Sequence, residues 1–440
     1  MVENKKIKVL KFGGTSVKNP QRLAHVANIV SSYSFTNKTI VVLSAMGEHT
    51  DNLVQLAALC ANNPDRRELD VLLSCGEQQS IALLSIILKD RGIKAKSFTG
   101  AQLGIVTEAN YGNAEILSID KNKILDAFEN NDIIVVAGFQ GVTTRGDITT
   151  LGRGGSDTSA VAIAAVVGAE ECEIYTDVDG LFTADPNIIN GAIQHESITY
   201  EDCLELAANG AQVIHPRAVE CARENGLNVR IRNVFNVSNQ GTLVCDTVSD
   251  QTELTGIALT SDFAALELQI DHTRCEIQSV DSLVCSAVGK VNFTEKRELH
   301  GEETRLIYIL SRLNTTSGEA ILQTLVKEPG VKVARISFSI SKLAIVGPQA
   351  ASLRTAIHPT LQSFCYQSDP LVFSSSELST SVYLDSARAL EVWNLLHQTF
   401  KSKFIAKKTK STRSIEIEAG TNTCEVNTST NSLETYCSNG

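Results

Sequence analysis

Short β-branched runs alternate with longer helical patterns from residue 7 to residue 245. The strands predicted from these runs cover residues 7–11, 39–43, 133–137, 172–176 and 228–231. Between them, apolar residues recur three and four positions apart, which predicts amphipathic helices. The predicted helices cover residues 16–34, 51–61, 66–89 and 156–167. This alternation predicts an α/β protein with a mostly parallel sheet sandwiched by helices, in which ligands bind where the strands end.

The pattern changes after residue 247, where the predicted elements become shorter. Strands are predicted at residues 264–270, 331–337, 343–346 and 381–384, and helices at 352–364 and 386–400. Small alternating units of this kind predict ferredoxin-like modules. We therefore expect a domain over residues 1–247, a region of one or two such modules over 253–404, and a polar tail over 405–440. The tail has too few apolar residues to pack and is expected to be disordered.

Charge and cysteine content limit the classes of partner. The formal net charge is -11 at pH 7, so no broad basic surface is expected for nucleic acid or for an anionic membrane. The eleven cysteines include no Cys-x-x-Cys pair, which argues against a disulfide framework and a structural zinc site and favours a reducing cytoplasm. No uninterrupted run of about 18 apolar residues occurs, so membrane spanning is not expected. These features favour small-molecule chemistry.

Lys11 and the glycine turn after it form the first candidate site. A strand that ends in a lysine, followed by Gly13, Gly14 and hydroxyl residues, gathers a charge and several backbone N–H groups at one place, as a phosphate requires. The same residues also fit a strand, a glycine turn and a capped helix without a ligand. A second glycine-rich cluster, residues 149–159, follows the strand at 133–137. Two such loops in one α/β domain favour the phosphate site.

Three further features could bind a substrate or a nucleotide. Arg153 lies in the second glycine-rich cluster, and its guanidinium group matches the geometry of a carboxylate. Gly76 interrupts a predicted helix at a cost of about 1 kcal/mol relative to alanine, which indicates that another group approaches closely there. Glu77 beside it either receives a substrate ammonium group or is a solvated helical side chain. The acidic loop at 176–186 is either a pair of turns or part of a nucleotide site.

Six segments, in this order, resemble motifs of the aspartate kinases of the amino acid kinase family. They are residues 11–17, 44–47, 76–77, 152–159, 176–186 and 210–217. The resemblance covers the first 245 residues, and the second half resembles ACT regulatory modules. It implies the amino acid kinase fold and the ATP-dependent phosphorylation of the β-carboxylate of L-aspartate to 4-phospho-L-aspartate. That reaction is the first step towards lysine, threonine and methionine.

The resemblance also implies a role for individual residues. Lys11 would stabilise charge on the transferring phosphoryl group, and Asp157 would orient Lys11 or the metal. Arg153 would hold the substrate α-carboxylate and Glu77 its α-ammonium group. Further substrate contacts are implied for Thr50, Gly154, Gly155 and Ser156. Contacts to ATP are implied for Lys11, Gly13, Gly14, Ser16, Thr176, Asp177, Phe182, Asn187 and Gln212. Mg²⁺ would be carried by the nucleotide, with no metal site of the protein's own.

Two departures from the family pattern leave other functions open. Asn187 and Gln212 stand where relatives usually carry arginine and lysine, so two cations are missing from the expected ATP phosphate side. One alternative is a sibling kinase that acts on another carboxylate, such as glutamate or acetylglutamate. Another is a catalytically weak amino-acid sensor, although Lys11, Arg153 and Asp157 argue against it. Feedback inhibition by lysine or threonine, and a homodimer or higher homo-oligomer, are expected from the architecture alone.

Restoring the cation with Gln212→Lys is expected to lower the KM for ATP by about tenfold, because a charged donor strengthens the hydrogen bond to a phosphate. Steady-state kinetics with ATP varied at saturating aspartate measure the effect. Gln278→Lys, outside the segments that carry the motifs, is the control and is expected to leave this KM unchanged. An unaltered KM for ATP in Gln212→Lys contradicts the prediction.

Overall fold

The computed structural model describes residues 6–34, 36–211, 213–248, 252–271, 273–274, 276–288, 291–298, 303–311, 315–362 and 372–405. Within these residues the strands are β1 (Ile7–Phe12), β2 (Lys38–Leu43), β3 (Ala95–Phe98), β4 (Ile105–Thr107), β5 (Ile116–Ile119), β6 (Ile133–Ala137), β7 (Gln140–Thr143), β8 (Ile148–Thr150), β9 (Glu171–Thr176), β10 (Ser197–Thr199), β11 (Asn228–Asn233), β12 (Thr242–Cys245), β13 (Gly256–Asp271), β14 (Val291–Glu298), β15 (Glu303–Ser311), β16 (Val331–Val346), β17 (Val372–Ser375) and β18 (Ser379–Asp385). The α-helices are α1 (Pro20–Ser34), α2 (His49–Cys60), α3 (Arg66–Leu73), α4 (Cys75–Asp90), α5 (Lys121–Ala127), α6 (Gly155–Val167), α7 (Tyr200–Ala208), α8 (Pro216–Glu224), α9 (Ile277–Val288), α10 (Thr315–Leu325), α11 (Arg354–Gln362) and α12 (Ser386–Thr399).

β1 lies in the middle of an eight-stranded sheet. The strand order is β10-β12-β11-β9-β1-β2-β6-β3, and every neighbouring pair except β11 with β12 is parallel. Lys11 on β1 lies beside Val42 of β2 and Ile174 of β9. The predicted mostly parallel sheet is confirmed. The carboxyl ends of β1, β2, β6 and β9 open at one edge, where ligands bind in folds of this kind.

Helices cover both faces of this sheet. Alternate residues of a strand point to opposite faces. On β1, Val9 joins the apolar core that includes α6, whereas Leu10 and Phe12 join the core that includes α1 and α4. Lys11 alternates with Leu10 and Phe12. Its side chain therefore points to the face that α6 covers.

Two helices differ from their sequence predictions. The helix predicted from residue 16 begins at Pro20, because Gly14–Val17 first forms a 3-10 turn and proline is favoured in the first turn of a helix. The helix predicted over residues 66–89 is two helices, α3 and α4, separated at Ser74. The Ser74 carbonyl accepts a hydrogen bond from Nε2 of Gln140 at 3.0 Å. This contact lies at the break, where the Ser74 N–H still donates to the Asp70 carbonyl at 3.0 Å.

The segment formed by α3 and α4 is unusually long and apolar. Within the described residues, Arg66–Asp90 is the one helical segment whose length and composition would suffice to cross a membrane. Its residues Ile81, Leu84 and Leu88 pack against the sheet in the core that includes β1 and β2. Packing inside the protein accounts for the composition of this segment.

A second sheet, of order β5-β4-β7-β8, was not predicted from the sequence. Each of its strands has three or four residues, which is too short for an alternating pattern to be recognised. β8 ends at Thr150 and leads directly into the second glycine-rich cluster. This small sheet therefore positions one of the predicted anion loops.

The C-terminal region is built on a six-stranded antiparallel sheet of order β14-β15-β13-β16-β18-β17. One ferredoxin-like module consists of the second half of β13, α9, β14, β15, α10 and the first half of β16. The other consists of the remaining halves of β13 and β16 with α11, β17, β18 and α12. Each module has its own apolar core. Two modules thus share two strands of 16 residues each.

Several sequence expectations for this region were wrong. The strand predicted at 264–270 is longer, and those predicted at 331–337 and 343–346 are one strand, β16. β14 was missed because its sequence is rich in charge, which is typical of an edge strand. The helix predicted at 352–364 is a 3-10 turn (Ala350–Leu353) followed by α11. Residues 406–440, expected to be disordered, lie outside the described residues.

The packing of α4 can be tested at Leu84, which is fully buried. Leu84→Ala is expected to reduce the free energy of unfolding by about 2–5 kcal/mol, because apolar contacts are lost and a cavity is left. Urea denaturation followed by circular dichroism measures the change. Ile86→Ala on the same helix is the control, since Ile86 is 63% exposed, and is expected to change stability by less than about 1 kcal/mol. Equal losses in the two variants contradict this orientation of α4.

Candidate active site

A cavity of about 720 Å³ opens near the carboxyl ends of β1, β2 and β6. It brings together most of the residues for which phosphoryl-transfer or substrate-binding roles were predicted. Those that line it are Lys11, Gly14, Thr50, Glu77, Arg153, Gly154, Gly155, Ser156 and Asp157. Residues far apart in the sequence therefore converge on one space, which is large enough for a small organic substrate.

Lys11 and Asp157 form an ion pair on one wall of this cavity. Lys11 Nζ lies 2.6 Å from Asp157 Oδ1, and both side chains are largely buried. Asp157 is in the first turn of α6, on the face of the sheet to which Lys11 points. A lysine ammonium group has three N–H donors, so the pair leaves donors that can face a ligand. The arrangement holds a cation at the end of β1.

Gly154 and Gly155 allow α6 to begin at this position. Gly154 has φ +70°, and a Cβ atom built there would lie 2.1 Å from Cγ of His215. A Cβ atom on Gly155 would lie 2.8 Å from Cβ of Leu151. The first N–H groups of a helix have no partners within it and form an anion-binding end. The glycines are required by packing within the protein, and this packing directs the N-terminus of α6 to the cavity.

Gly14 and Gly76 both approach the loop that follows β2. A Cβ atom on Gly14 would lie 2.9 Å from the Ala45 carbonyl oxygen, and one on Gly76 would lie 2.8 Å from Ala45 Cβ. The Gly47 N–H also donates to the Gly14 carbonyl at 3.0 Å. The close approach predicted at Gly76 is thus made by this loop of the protein itself. The loop, the glycine turn and α4 form one packed wall.

Glu77 lines the cavity and has a carboxylate oxygen without a hydrogen-bond partner among the described residues. Its Oε1 accepts a hydrogen bond from the Ala45 N–H at 3.0 Å, whereas Oε2 is buried without a partner. Burial raises the pKa of Glu77 to about 7, against the effect of backbone hydrogen bonds. A buried oxygen without a donor is rare in native proteins and often marks a functional site. An ammonium group of a ligand would satisfy it and favour the ionised form.

The nucleotide residues predicted from the resemblance are less concentrated. Phe182 and Asn187 line a second cavity of about 340 Å³, whose walls also include Trp393 from the C-terminal region. Thr176 and Asp177 line neither cavity; Thr176 ends β9 and Asp177 follows it. Asn187 is exposed, and its Nδ2 donates to Asp185 Oδ1 at 3.1 Å.

The remaining three predicted nucleotide residues differ in position. Gly13 and Ser16 lie in the turn after β1, where the Ser16 N–H donates to the Gly13 carbonyl at 3.0 Å. The Ser16 Oγ is buried without a partner. Neither residue lines one of the two cavities. Gln212 lies outside the described residues.

Comparison with known proteins assigns the chain to a family. Residues 6–233 match the profile of the Amino acid kinase family. The chain is 38% identical over 397 residues to an aspartokinase of Geobacillus stearothermophilus, a match that covers 89% of this chain and 96% of that protein. The chain belongs to the aspartokinases of the amino acid kinase family.

Two solved aspartokinase structures resemble this one. E. coli aspartokinase III, solved in complex with aspartate and ADP, has a TM-score of 0.67 at 22% identity, over 90% of this chain and 100% of that one. Aspartate kinase from Synechocystis has a TM-score of 0.50 at 33% identity, over 90% of this chain and 69% of that one. The aspartokinase fold therefore extends through the C-terminal region as well as the N-terminal sheet.

In this member of the aspartokinases, the loop after β9 is attached to the C-terminal region. Thr183 Oγ1 and His397 Nε2 are 2.9 Å apart, and the Ile257 N–H donates to the Thr183 carbonyl at 2.8 Å. Ala184 and Ile189 of the same loop are buried in the core that includes α11 and α12. The loop with the predicted nucleotide residues is thus held by the region that follows the kinase sheet.

Sequence reasoning missed several residues of the aspartokinase cavity, among them Asp70, Phe139 and Thr150. A sequence signal existed for Asp70, because positions 70, 73, 77 and 84 fall on one face of a helical pattern, and the other three residues on that face are buried. No local signal exists for Phe139, which has a φ of +68°.

The raised pKa of Glu77 predicts a dependence of stability on pH in the absence of ligand. Its pKa is about 7 when folded, above the ordinary value of 4.5. Between these two pKa values the folded chain holds a proton that the unfolded chain has lost. The free energy of unfolding therefore decreases as the pH rises through about 7. Glu77→Gln has no ionisable group at this position. Its free energy of unfolding, relative to that of the wild type, is expected to rise by about 2–3 kcal/mol between pH 5 and pH 8.

Chemical denaturation of both proteins at the two pH values measures this difference. Ile86→Ala is the control, because it changes an exposed side chain without a titratable group, and its difference from the wild type is expected to be independent of pH. A constant difference for Glu77→Gln as well would show that Glu77 titrates at its ordinary pKa, against the prediction.

Proposed function

We propose that this chain transfers the γ-phosphoryl group of ATP to the β-carboxylate of L-aspartate, forming 4-phospho-L-aspartate. The observation that carries the proposal is the cavity in which the buried ion pair of Lys11 with Asp157 and the unpaired Glu77 oxygen lie together. In one cavity, Lys11 would bind a phosphate group and Glu77 would bind an ammonium group. This combination suits the phosphorylation of an amino acid. Membership in the aspartokinases supports aspartate as that amino acid.

The chemistry requires little proton transfer. The β-carboxylate of aspartate has a pKa of about 3.9 and is already an anionic nucleophile at neutral pH. The main barrier is the repulsion between this anion and the triphosphate, which positive charge and N–H donors reduce in the transition state. Lys11, the N–H groups of Gly13 and Gly14, and the first turn of α6 would supply them. The 2.6 Å contact supports orientation of Lys11 as the role of Asp157.

Recognition of the amino acid would use both of its α-substituents. Glu77 would accept from the α-ammonium group through its unpaired oxygen. Arg153 lines the same cavity, forms no ion pair with the described residues, and would bind the α-carboxylate through its planar guanidinium group. Thr50 and Ser156 would add hydrogen bonds, with Gly154 and Gly155 in backbone contact. These contacts would leave the β-carboxylate free to attack.

ATP would be bound between the glycine turn after β1 and the loop after β9. We infer that Thr176, Asp177 and Phe182 contact the nucleoside, and that Asn187 and Gln212 lie on the phosphate side. E. coli aspartokinase III was solved with ADP, which supports this type of nucleotide. Mg²⁺ would enter with the phosphates and reduce their negative charge.

We further infer that residues 1–247 are the catalytic domain and residues 253–404 a regulatory region of two ACT-like modules. Support comes from the separate sheets on either side of residue 250. We infer lysine or threonine as a feedback amino acid, and E. coli aspartokinase III, which was also solved with lysine and aspartate, supports lysine. Pairing of modules between subunits would give a homodimer or a higher homo-oligomer. The seven described cysteines are free thiols, in keeping with a reducing cytoplasm.

A hydroxamate assay with ATP and Mg²⁺ tests the function directly, because hydroxylamine traps an acyl phosphate. We expect hydroxamate formation with L-aspartate at least about a hundredfold faster than with glutamate or acetylglutamate, since Glu77 and Arg153 fix the position of the attacking carboxylate. Turnover of glutamate or acetylglutamate instead contradicts aspartate as the substrate. Turnover of none of the three favours an amino-acid sensor.

Lys11→Ala tests the proposed role of Lys11 in the reaction. We expect kcat with aspartate to fall by about a hundredfold or more, because a preorganised charge at the phosphoryl group is lost. Lys6→Ala is the matched control, since Lys6 precedes the same strand and pairs with Glu170 at the surface. Similar kcat values for Lys11→Ala and the wild type contradict the proposed role of Lys11.

A further inference from the structure

Asp70 is a buried carboxylate that no role proposed above uses. It lies on α3, is completely inaccessible to solvent, and borders the 720 Å³ cavity. Within the described residues it forms no ion pair, and its partners are three neutral donors. Buried carboxylates are rare and are retained where their hydrogen bonds are required.

The three donors come from two different segments. Asp70 Oδ2 accepts from the Gly112 N–H at 2.9 Å and from the Thr150 N–H at 2.8 Å. Its Oδ1 accepts from the Thr150 hydroxyl at 2.8 Å. Hydrogen bonds to an ionised acceptor are about twice as strong as neutral ones. Asp70 thus joins α3 to the end of β8 and to the loop between β4 and β5.

These segments lead directly to the substrate residues. Thr150 precedes Arg153 by three positions, and the connection passes through Gly152, whose added Cβ would lie 3.0 Å from the Gly112 carbonyl oxygen. On the other side, Asp70 precedes Glu77 by seven positions, across the break between α3 and α4 at Ser74. Asp70 therefore lies at the junction of the chain segment that carries Glu77 with the one that carries Arg153.

A second contact restrains the same loop from the opposite side. Arg217 Nη1 donates to the Leu151 carbonyl at 2.5 Å, and its Nη2 donates to the Ala114 carbonyl at 3.1 Å. The Ala114 N–H in turn donates to the Thr150 carbonyl at 2.9 Å. Arg217 ties the loop to α8, whereas Asp70 ties it to the helices that carry Glu77. The Asp70 contacts join the loop directly to the segment that carries Glu77, and the bond from Gln140 on β7 to the Ser74 carbonyl joins them indirectly.

We propose that Asp70 is a positioning residue that sets the separation of Arg153 and Glu77, and hence the binding of the α-carboxylate and α-ammonium groups of the substrate. Both of its oxygens are occupied within the protein, so it does not touch the substrate. The proposal rests on the proposed function, because it takes an α-amino acid as the ligand of these two residues. It assigns to Asp70 an effect on the amino acid and none on the nucleotide.

Asp70→Asn tests the proposal. The variant removes the negative charge and one acceptor oxygen, so the hydrogen bonds from Gly112 and Thr150 lose their charge assistance. We expect the KM for L-aspartate to rise by about tenfold or more, because losing a charge-assisted hydrogen bond displaces the loop. The KM for ATP is expected to change by less than about twofold. A purely structural role would lower the melting temperature without separating the two KM values.

Asp202→Asn is the matched control. Asp202, like Asp70, is a buried carboxylate. It lies in the first turn of α7 and outside the 720 Å³ cavity. We expect it to leave both KM values unchanged even where it lowers the melting temperature. An equal rise in the KM for aspartate in the two variants overturns the positioning role of Asp70.

Thr150→Val keeps the proposal testable when Asp70→Asn does not fold. This variant retains the shape of the side chain and removes only the hydroxyl bond to Oδ1. We expect a smaller rise in the KM for aspartate, in the same direction, with the KM for ATP unchanged. An unchanged KM for aspartate overturns the proposal. Failure of the wild type to phosphorylate aspartate would contradict the proposed function instead, so the two failures are distinguishable.

Discussion

The ion pair between Lys11 and Asp157 requires several separate parts of the fold to be in place. A buried ammonium group is stable only with a partner, and removing one member of such a pair costs about 3–5 kcal/mol. Lys11 comes from the central strand, whereas Asp157 comes from the first turn of α6. The start of α6 is in turn determined by Gly154, which packs against His215. The buried charge of Lys11 therefore depends on β1, α6 and the segment before α8 together.

Long elements of the N-terminal region could be predicted because their pattern is local. The strand at 133–137 and the helix ending at Val167 were predicted within one residue of their observed bounds. The break at Ser74 was missed; the side chain that contacts its carbonyl, Gln140, lies 66 residues away. The continuity of β16 was also missed, and its two halves belong to different modules although both pair with β13. A local pattern carries no information on such distant contacts.

The sequence located residues of the candidate site best where they are charged side chains close to glycines. Lys11, Glu77 and Arg153 were recognised as charges next to glycines, and they line one cavity. Asp70 was missed because it acts on the protein itself, through Gly112 and Thr150, which are 42 and 80 residues away. Sequence motifs reveal residues that contact a ligand more readily than they reveal residues that position those contacts. The distinction between the two becomes visible only when hydrogen-bond partners are known.

The burial of Ala184 and Ile189 in the core of the second C-terminal module has a consequence for biosynthesis. Thr183 bonds to a histidine 214 residues further along the chain. A ribosome adds residues from the N-terminus, at about 5–20 residues per second, so the loop after β9 is made at least about ten seconds before its packing partners. During this interval the eight-stranded sheet can form while the loop has no apolar surface to cover it. The loop after β9 thus acquires its full packing only after His397 has been added to the nascent chain.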